Sequence, residues 1–171
     1  EAVGKRQPAG STGRRARWER FFAECLEREP LPGEVDVLVE ECTRRISDTV
    51  VHARHVPGVD TYLHSLRRRA DRIVVSGIEG EELKAILAAK NLDWLFTRIY
   101  GGDKHAILPR LVESGEVALP AVYYGDAPDD EHAARAAGMD FVFVAGCSEF
   151  DAADFPADTT AIEDFRAAVL A

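Results

Sequence analysis

Two carboxylates close together end the run Val122-Tyr123-Tyr124-Gly125-Asp126-Ala127-Pro128-Asp129-Asp130. An apolar, aromatic segment stops at a glycine, and Asp126 and Asp130 follow it. At the carboxyl end of a parallel strand, such groups face the crevice in which α/β proteins bind ligands. Two hard oxygen donors there suit Mg²⁺, which takes one or two carboxylates and leaves the rest of its sphere to water and phosphate. Two other apolar segments end in chemistry-bearing residues. Ser76 follows Ile73-Val74-Val75, and Lys104 follows Arg98-Ile99-Tyr100-Gly101-Gly102-Asp103. A hydroxyl, an ammonium and an acidic metal site along one sheet rim make a phosphate site. The hydroxyl donates to a phosphoryl oxygen, the lysine neutralises charge, and the metal stabilises the transition state.

The elements that must position these groups are legible from periodicity. Trp18, Phe21, Phe22, Cys25 and Leu26 recur at helical spacing between Arg14 and Arg28. Pro30, Pro32 and Gly33 end that helix, and Val35, Leu38, Val39, Cys42, Ile46 and Val50 form the stripe of a second. Pro57-Gly58 opens a third helix, carrying Val59, Tyr62, Leu63 and Leu66. From Ile73 the pattern alternates: a strand at 73–75, a helix through Leu83, Ile86, Leu87 and Leu92, a strand at 98–100, a helix through Ile107 to Val112, a strand at 121–124, a helix at 131–137 and a strand at 141–144. Ile162, Phe165, Val169 and Leu170 predict a closing helix. Residues 4–12 read as a loop. Alternation of strand and helix predicts an α/β fold, with a parallel sheet flanked by helices. Residues 57–171 form that sheet domain and residues 1–56 a helical appendage.

A length of 171 residues allows one ordinary domain with a modest insertion, and 46% hydrophobic content is typical of a globular core. The net charge of −9 argues against a general nucleic-acid binder. Lys5, Arg6, Arg14, Arg15, Arg17 and Arg20 nevertheless crowd the start of the chain, either to meet an anionic substrate or as a solvated helix face. Cys25, Cys42 and Cys147 are scattered and include no Cys-x-x-Cys pair, which points to a reducing, cytoplasmic setting without a zinc site. No apolar run is long enough to cross a membrane, and no signal-peptide pattern is present. His52 and His55 have the spacing of a helical metal pair or of a polar helix face. No third ligand accompanies them. His105 beside Lys104 either lines the site or is solvated, and Asp129 either joins the outer shell of the metal or faces solvent.

The order of these motifs resembles the haloacid dehalogenase-like hydrolase superfamily from about Gly10 onward. Its second motif is a hydrophobic strand ending in Ser or Thr, here Ile73-Val74-Val75-Ser76-Gly77. Its third is a lysine at a helix start, here Gly101-Gly102-Asp103-Lys104. Its fourth is Gly-Asp-x-x-x-Asp after a strand, here Gly125-Asp126 through Asp130. The helix Ala133-Ala134-Arg135-Ala136-Ala137-Gly138-Met139 is also similar. The resemblance implies a Rossmann-like core with a small helical cap, a Mg²⁺-dependent phosphatase activity and a small phosphorylated substrate. By it, Ser76 and Gly77 bind phosphate, Lys104 stabilises phosphoryl charge, and Asp126 and Asp130 hold Mg²⁺. The run Gly10-Ser11-Thr12-Gly13-Arg14-Arg15-Ala16-Arg17-Trp18 is similar to a phosphatase-branch pattern, Gly-Gly-x-Ser-Arg-x-x-Lys-Phe, in which Arg14 and Arg17 would hold an anionic substrate. Gly13 stands where that pattern has serine.

The sequence departs from the family at its first motif. An Asp-x-Asp on the central first strand supplies the nucleophile and the acid–base residue, and no such pair precedes Gly10. Asp36 lies within a helical pattern, and Asp151 and Asp154 lie in an irregular acidic stretch. Three readings stand beside one another: a sequence trimmed at its start, as its lone methionine at Met139 and opening Glu1 suggest; a segment supplied by another chain; or a non-catalytic phosphate-binding or regulatory module. A carbon–halogen hydrolase fits the same superfamily, but the acidic fourth motif favours Mg²⁺ and phosphate. A dinucleotide-binding domain lacks support, because neither Gly-x-Gly-x-x-Gly nor Gly-x-x-x-x-Gly-Lys-Ser/Thr occurs.

Overall fold

The computed structural model describes residues 14–168. The expected loop at 4–12 and the basic residues Lys5 and Arg6 lie outside the described residues. The described chain divides into two compact units, one made of residues 14–102 with 165–168, the other of residues 103–164.

The first unit begins with α1 (Arg14–Cys25) and α2 (Glu34–His52), which pack on each other. Phe22 is almost fully buried on α1, and the Arg28 guanidinium lies 4.6 Å from its ring centroid. Burying a side chain of this size stabilises by about 2 kcal/mol. The helix ends earlier than its apolar period predicts. Glu27 turns into the left-handed region at φ 51°, and the Arg28 N–H bonds back to the Phe22 carbonyl at 3.1 Å. Arg28 then clamps the turn by two bonds, 2.7 and 2.9 Å, to the Glu34 carboxylate. Along α2, Val35 is buried, and Leu38, Val39, Cys42, Ile46 and Val50 are half-buried on the expected stripe.

After α3 (Val59–Ser65) the chain enters β1 (Ile73–Ser76), α4 (Gly80–Ala89) and β2 (Arg98–Gly101). The two strands pair in parallel, with Val74 opposite Ile99 and Ser76 opposite Gly101. Leu83, Ile86 and Leu87 of α4 are buried, as the period predicts, and Leu95 joins them, while Leu92, expected on the same helix, lies past its end. Arg72 is buried just ahead of β1, where its guanidinium donates to the carbonyls of Leu95, Leu66 and Ala70 at 2.5, 3.2 and 3.1 Å. That satisfaction is what makes a buried charge tolerable here. Gly101 is required by space, because a Cβ there would stand 2.4 Å from the Gly80 nitrogen and the Ile78 carbonyl oxygen. The loop after Ser76 is thereby pressed against the end of β2. Phe165 joins this unit through its N–H, 2.9 Å from the Pro57 carbonyl, and by stacking on Tyr62.

The second unit contains α5 (Lys104–Glu113), β3 (Val122–Gly125), α6 (Pro128–Ala136), β4 (Asp140–Val144) and β5 (Thr160–Ile162). Its three strands form a parallel sheet in the order β3-β4-β5. Helix α6 links β3 to β4 and packs on both. Leu108 and Leu111 of α5 are buried, and Phe155 packs over Phe143 at a centroid distance of 4.2 Å. Among the described residues every strand pairing is parallel, and with the flanking helices this is the expected α/β architecture.

Two expectations are corrected. The single sheet resolves, among the described residues, into a two-stranded and a three-stranded sheet. In place of a helix beginning at Ile162 there is a strand: Thr160, Ala161 and Ile162 pair with Val142, Phe143 and Val144 of β4, and Val169 and Leu170 lie outside the described residues. Thr160 and Ile162 are β-branched, and an available strand edge outweighs a short helical period there.

Candidate active site

The local sequence at the end of β3 dictates a tight strand-to-helix passage. Pro128 occupies the first turn of α6, where its missing N–H has no helical partner to lose. Asp130, two residues on, turns back so that its Oδ2 accepts the N–H groups of Asp126 and Ala127, each at 3.2 Å. Gly125 makes room for this. A Cβ there would fall 2.5 Å from the Asp130 Cβ. Ser148, in the segment after β4, donates its hydroxyl to the Asp126 carbonyl at 2.5 Å and ties that segment to the strand end.

Lys104 opens α5, capped by the Asp103 side chain, which accepts the His105 N–H at 3.0 Å. A cation at the positive end of a helix is disfavoured by the dipole. Two carboxylates offset this. Lys104 Nζ stands 2.6 Å from Asp130 Oδ1 and 3.2 Å from Asp129 Oδ2. The Lys104 and Asp130 side chains are only 15% and 10% exposed, so this pair is shielded from water in a way that surface pairs are not. Burial pulls the Lys104 ammonium down, but Asp130 and Asp129 outweigh it and hold its pKa above the ordinary value. The Tyr123 hydroxyl lies 3.5 Å from Asp130 Oδ1, and burial, then the Asp130 charge, drives its pKa upward.

Asp126 is in the opposite situation. Burial, then the charge of Asp130, pushes its carboxyl pKa up, and the more weakly felt Lys104 does not offset them. Among the described residues no cationic side chain forms an ion pair with it. A half-buried carboxylate beside another, lacking an ion-pair partner, fits a hard divalent cation. No group of three His, Cys, Asp or Glu side chains suited to a metal converges among the described residues. The donor set is therefore two carboxylates, with the rest of the sphere left to water and phosphate, as Mg²⁺ accepts.

Ser76 and Gly77 belong to the first unit, at the end of β1. Ser76 Oγ accepts the Ile78 N–H at 3.3 Å, which leaves its O–H to donate elsewhere. The Ser76 carbonyl accepts the Gly102 N–H at 2.8 Å. Gly77 is exposed, and a Cβ there would meet nothing within 4 Å. Arg14 is engaged within its own unit. Its guanidinium donates to both oxygens of Glu82, at 2.9 and 3.2 Å, and to Thr43 Oγ1 at 2.6 Å. Arg17 is exposed on α1, and neighbouring Arg15 pairs with Asp36. His52 and His55 do not share a helix. His52 is the last residue of α2, while His55 lies beyond it with Nδ1 2.9 Å from Asp60 Oδ2.

One partnership was not apparent from the sequence. His105 Nε2 is 2.8 Å from Asp129 Oδ1, on the carboxylate whose other oxygen faces Lys104. Burial alone would raise the Asp129 carboxyl, but His105 and Lys104 overcome it and hold its pKa below the ordinary value. A histidine in the first turn of one helix and an acid in the first turn of another were the available signal.

No family model matches this chain. No curated protein matches it by sequence. Solved structures do match. A predicted phosphoglycolate phosphatase from Haemophilus somnus 129PT superposes with a TM-score of 0.70 at 21% identity, over 88% of this chain and 72% of that one. A haloacid dehalogenase-like family hydrolase from Streptococcus pneumoniae gives 0.66 at 17%, over 93% and 80%. A haloacid dehalogenase-superfamily hydrolase of subfamily IA, variant 1, from Geobacter sulfurreducens PCA gives 0.59 at 21%, over 91% and 70%.

Proposed function

We propose, for a chain whose fold is that of the haloacid dehalogenase-like hydrolases, that it carries the phosphate- and metal-handling machinery of a Mg²⁺-dependent phosphohydrolase acting on a small phosphorylated metabolite. The observation that carries this reading is the shielded Lys104 ammonium held by Asp130 and Asp129 of α6, the helix that follows Asp126, which has no ion-pair partner among the described residues. Asp126 and Asp130 would hold Mg²⁺. When bound, the ion supplies positive charge against phosphoryl oxygens.

The protein's own residues would then divide the work. Lys104 neutralises charge on the phosphoryl group and on the attacking oxygen. Ser76 donates its hydroxyl to a phosphoryl oxygen, beside the exposed Gly77 backbone. By the resemblance, the helical segment through residue 56 is the cap, and exposed Arg17 is its candidate anion contact. Arg14 would have to leave Glu82 and Thr43 to take part. The family chemistry passes through an aspartyl phosphate on an Asp-x-Asp motif. The second reading is a phosphate-binding or regulatory module without turnover.

Phosphate release from a panel of phosphate esters, phosphoglycolate among them, decides between the two when measured on the full-length gene product with and without Mg²⁺. Mg²⁺-dependent turnover supports the hydrolase. Mg²⁺-dependent phosphate binding without turnover supports the binding module. Neither binding nor turnover would end both readings.

A further inference from the structure

His105 has no part in the roles above, yet its ring is committed to the site. With the proton on Nε2, the imidazole donates to Asp129 Oδ1 at 2.8 Å. The second oxygen of the same carboxylate meets Lys104 Nζ at 3.2 Å. The backbone of His105 is fixed in turn, because its N–H is taken by the Asp103 cap at 3.0 Å. Asp129 thus bridges the imidazole and the ammonium, one oxygen to each. Its side chain is one third exposed, and a carboxylate held by a lysine alone would be free to rotate about its last torsion.

The other partner of Lys104 is more heavily committed. Asp130 already accepts two backbone N–H groups on Oδ2 and receives Lys104 on Oδ1. On the proposed reading it also faces the divalent ion. Whatever share of Asp130 the ion draws away is lost to Lys104, and Asp129 is the remaining carboxylate in ion-pair range of that ammonium among the described residues. We propose that His105 is a positioning residue for Lys104, acting through Asp129: it fixes the carboxylate that keeps the ammonium aimed when Asp130 serves the metal. This rests on the phosphohydrolase reading for its catalytic consequence, but not for its geometry. Partners of this kind commonly set the orientation of groups that touch substrate or metal, and small misplacements are costly.

The test compares His105→Ala with His105→Gln, whose side-chain amide can still donate to Asp129. Two quantities are read on the full-length gene product: steady-state kinetics on a phosphate ester with Mg²⁺, and the rate at which an amine-reactive ester labels Lys104 with Mg²⁺ but without substrate, followed by mass spectrometry. His105→Ala should lower kcat about tenfold with KM changed by less than about twofold, the pattern of a group mispositioned for the chemical step. It should also speed Lys104 labelling about tenfold, because a loosened side chain leaves its shielded place more often and meets the reagent. His105→Gln should return both quantities most of the way to wild type. Labelling of His105→Ala at the wild-type rate overturns the proposal, as does His105→Gln behaving like His105→Ala. Should the wild-type protein show no turnover, the hydrolase reading fails, and the labelling comparison still decides whether His105 positions Lys104.

Discussion

Lys104 Nζ lies 2.6 Å from Asp130 Oδ1, at the helix terminus where a positive charge is least welcome. A cation placed against the helix dipole persists because carboxylates hold it there. In this protein they come from the first turn of another helix, α6, whose entry is shaped by Gly125 and Pro128. The pair joins the local geometry of β3 and α6 to the charge that a phosphoryl group would meet. The predictions below probe it from several sides.

Replacing the ammonium leaves two carboxylates facing each other without compensation. Lys104→Met should lower metal-free stability by about 2 kcal/mol, less than the loss seen when a fully buried pair is broken. Urea unfolding reads this directly. Added Mg²⁺ should recover part of the loss. On the hydrolase reading, kcat should also fall by about two to three orders of magnitude, the usual loss when a preorganised charge is removed from a transition state.

Gly125 is constrained by space rather than by backbone angle. The methyl group of Gly125→Ala would fall 2.5 Å from the Asp130 Cβ and force that side chain away from its backbone donors. A cost of about 1–3 kcal/mol is expected from such overpacking. Thermal melts followed by circular dichroism would measure it. Calorimetric titration should show weaker Mg²⁺ binding in the same variant.

Asp126 carries a charge that the metal-free fold disfavours, through burial and then through Asp130. Asp126→Asn should therefore raise the melting temperature in the absence of divalent ions. On the proposed reading Mg²⁺ should raise the wild-type melting temperature, and Asp126→Asn should abolish that rise, since stabilisation by a ligand follows its occupancy of the folded state. Differential scanning calorimetry with and without Mg²⁺ separates the two effects.

Away from the site, the Arg28 hydrogen bonds, and then the Leu31 N–H, lower the Glu34 pKa from 4.5 to about 2. A carboxyl depressed on folding contributes stability that is present above its unfolded pKa and is lost as pH falls toward its folded one. The clamp between α1 and α2 should accordingly weaken between pH 4.5 and about 2. Carbon-detected NMR titration should find the Glu34 carboxyl at the low end of that window in the wild type, and raised toward its ordinary value in Arg28→Ala, where the Leu31 N–H bond remains.

Much of this arrangement was legible in the amino-acid order. The stripe from Val35 to Val50, the β-branched run Ile73-Val74-Val75 and the aromatic strand ending at Gly125 each declare their element by period alone. Lys104 and Asp130 were both candidates by their places after strands, and the structure adds that they form an ion pair. What escaped was decided by partners distant in sequence. Thr160-Ala161-Ile162 became a strand because β4 offered an edge, which no local pattern announces. Arg14 looked like a substrate clamp because its partner Glu82 lies on α4, far along the chain. The bridge from His105 through Asp129 to Lys104 was likewise hidden, since it depends on two helix termini meeting in space.

The measurement that bears most directly on the central claim is calorimetric titration of inorganic phosphate into this chain, with and without Mg²⁺, alongside Lys104→Met. Phosphate should bind only when Mg²⁺ is present, and Lys104→Met should abolish that binding. Equal phosphate binding in the absence of Mg²⁺, or undiminished binding by Lys104→Met, would contradict the account.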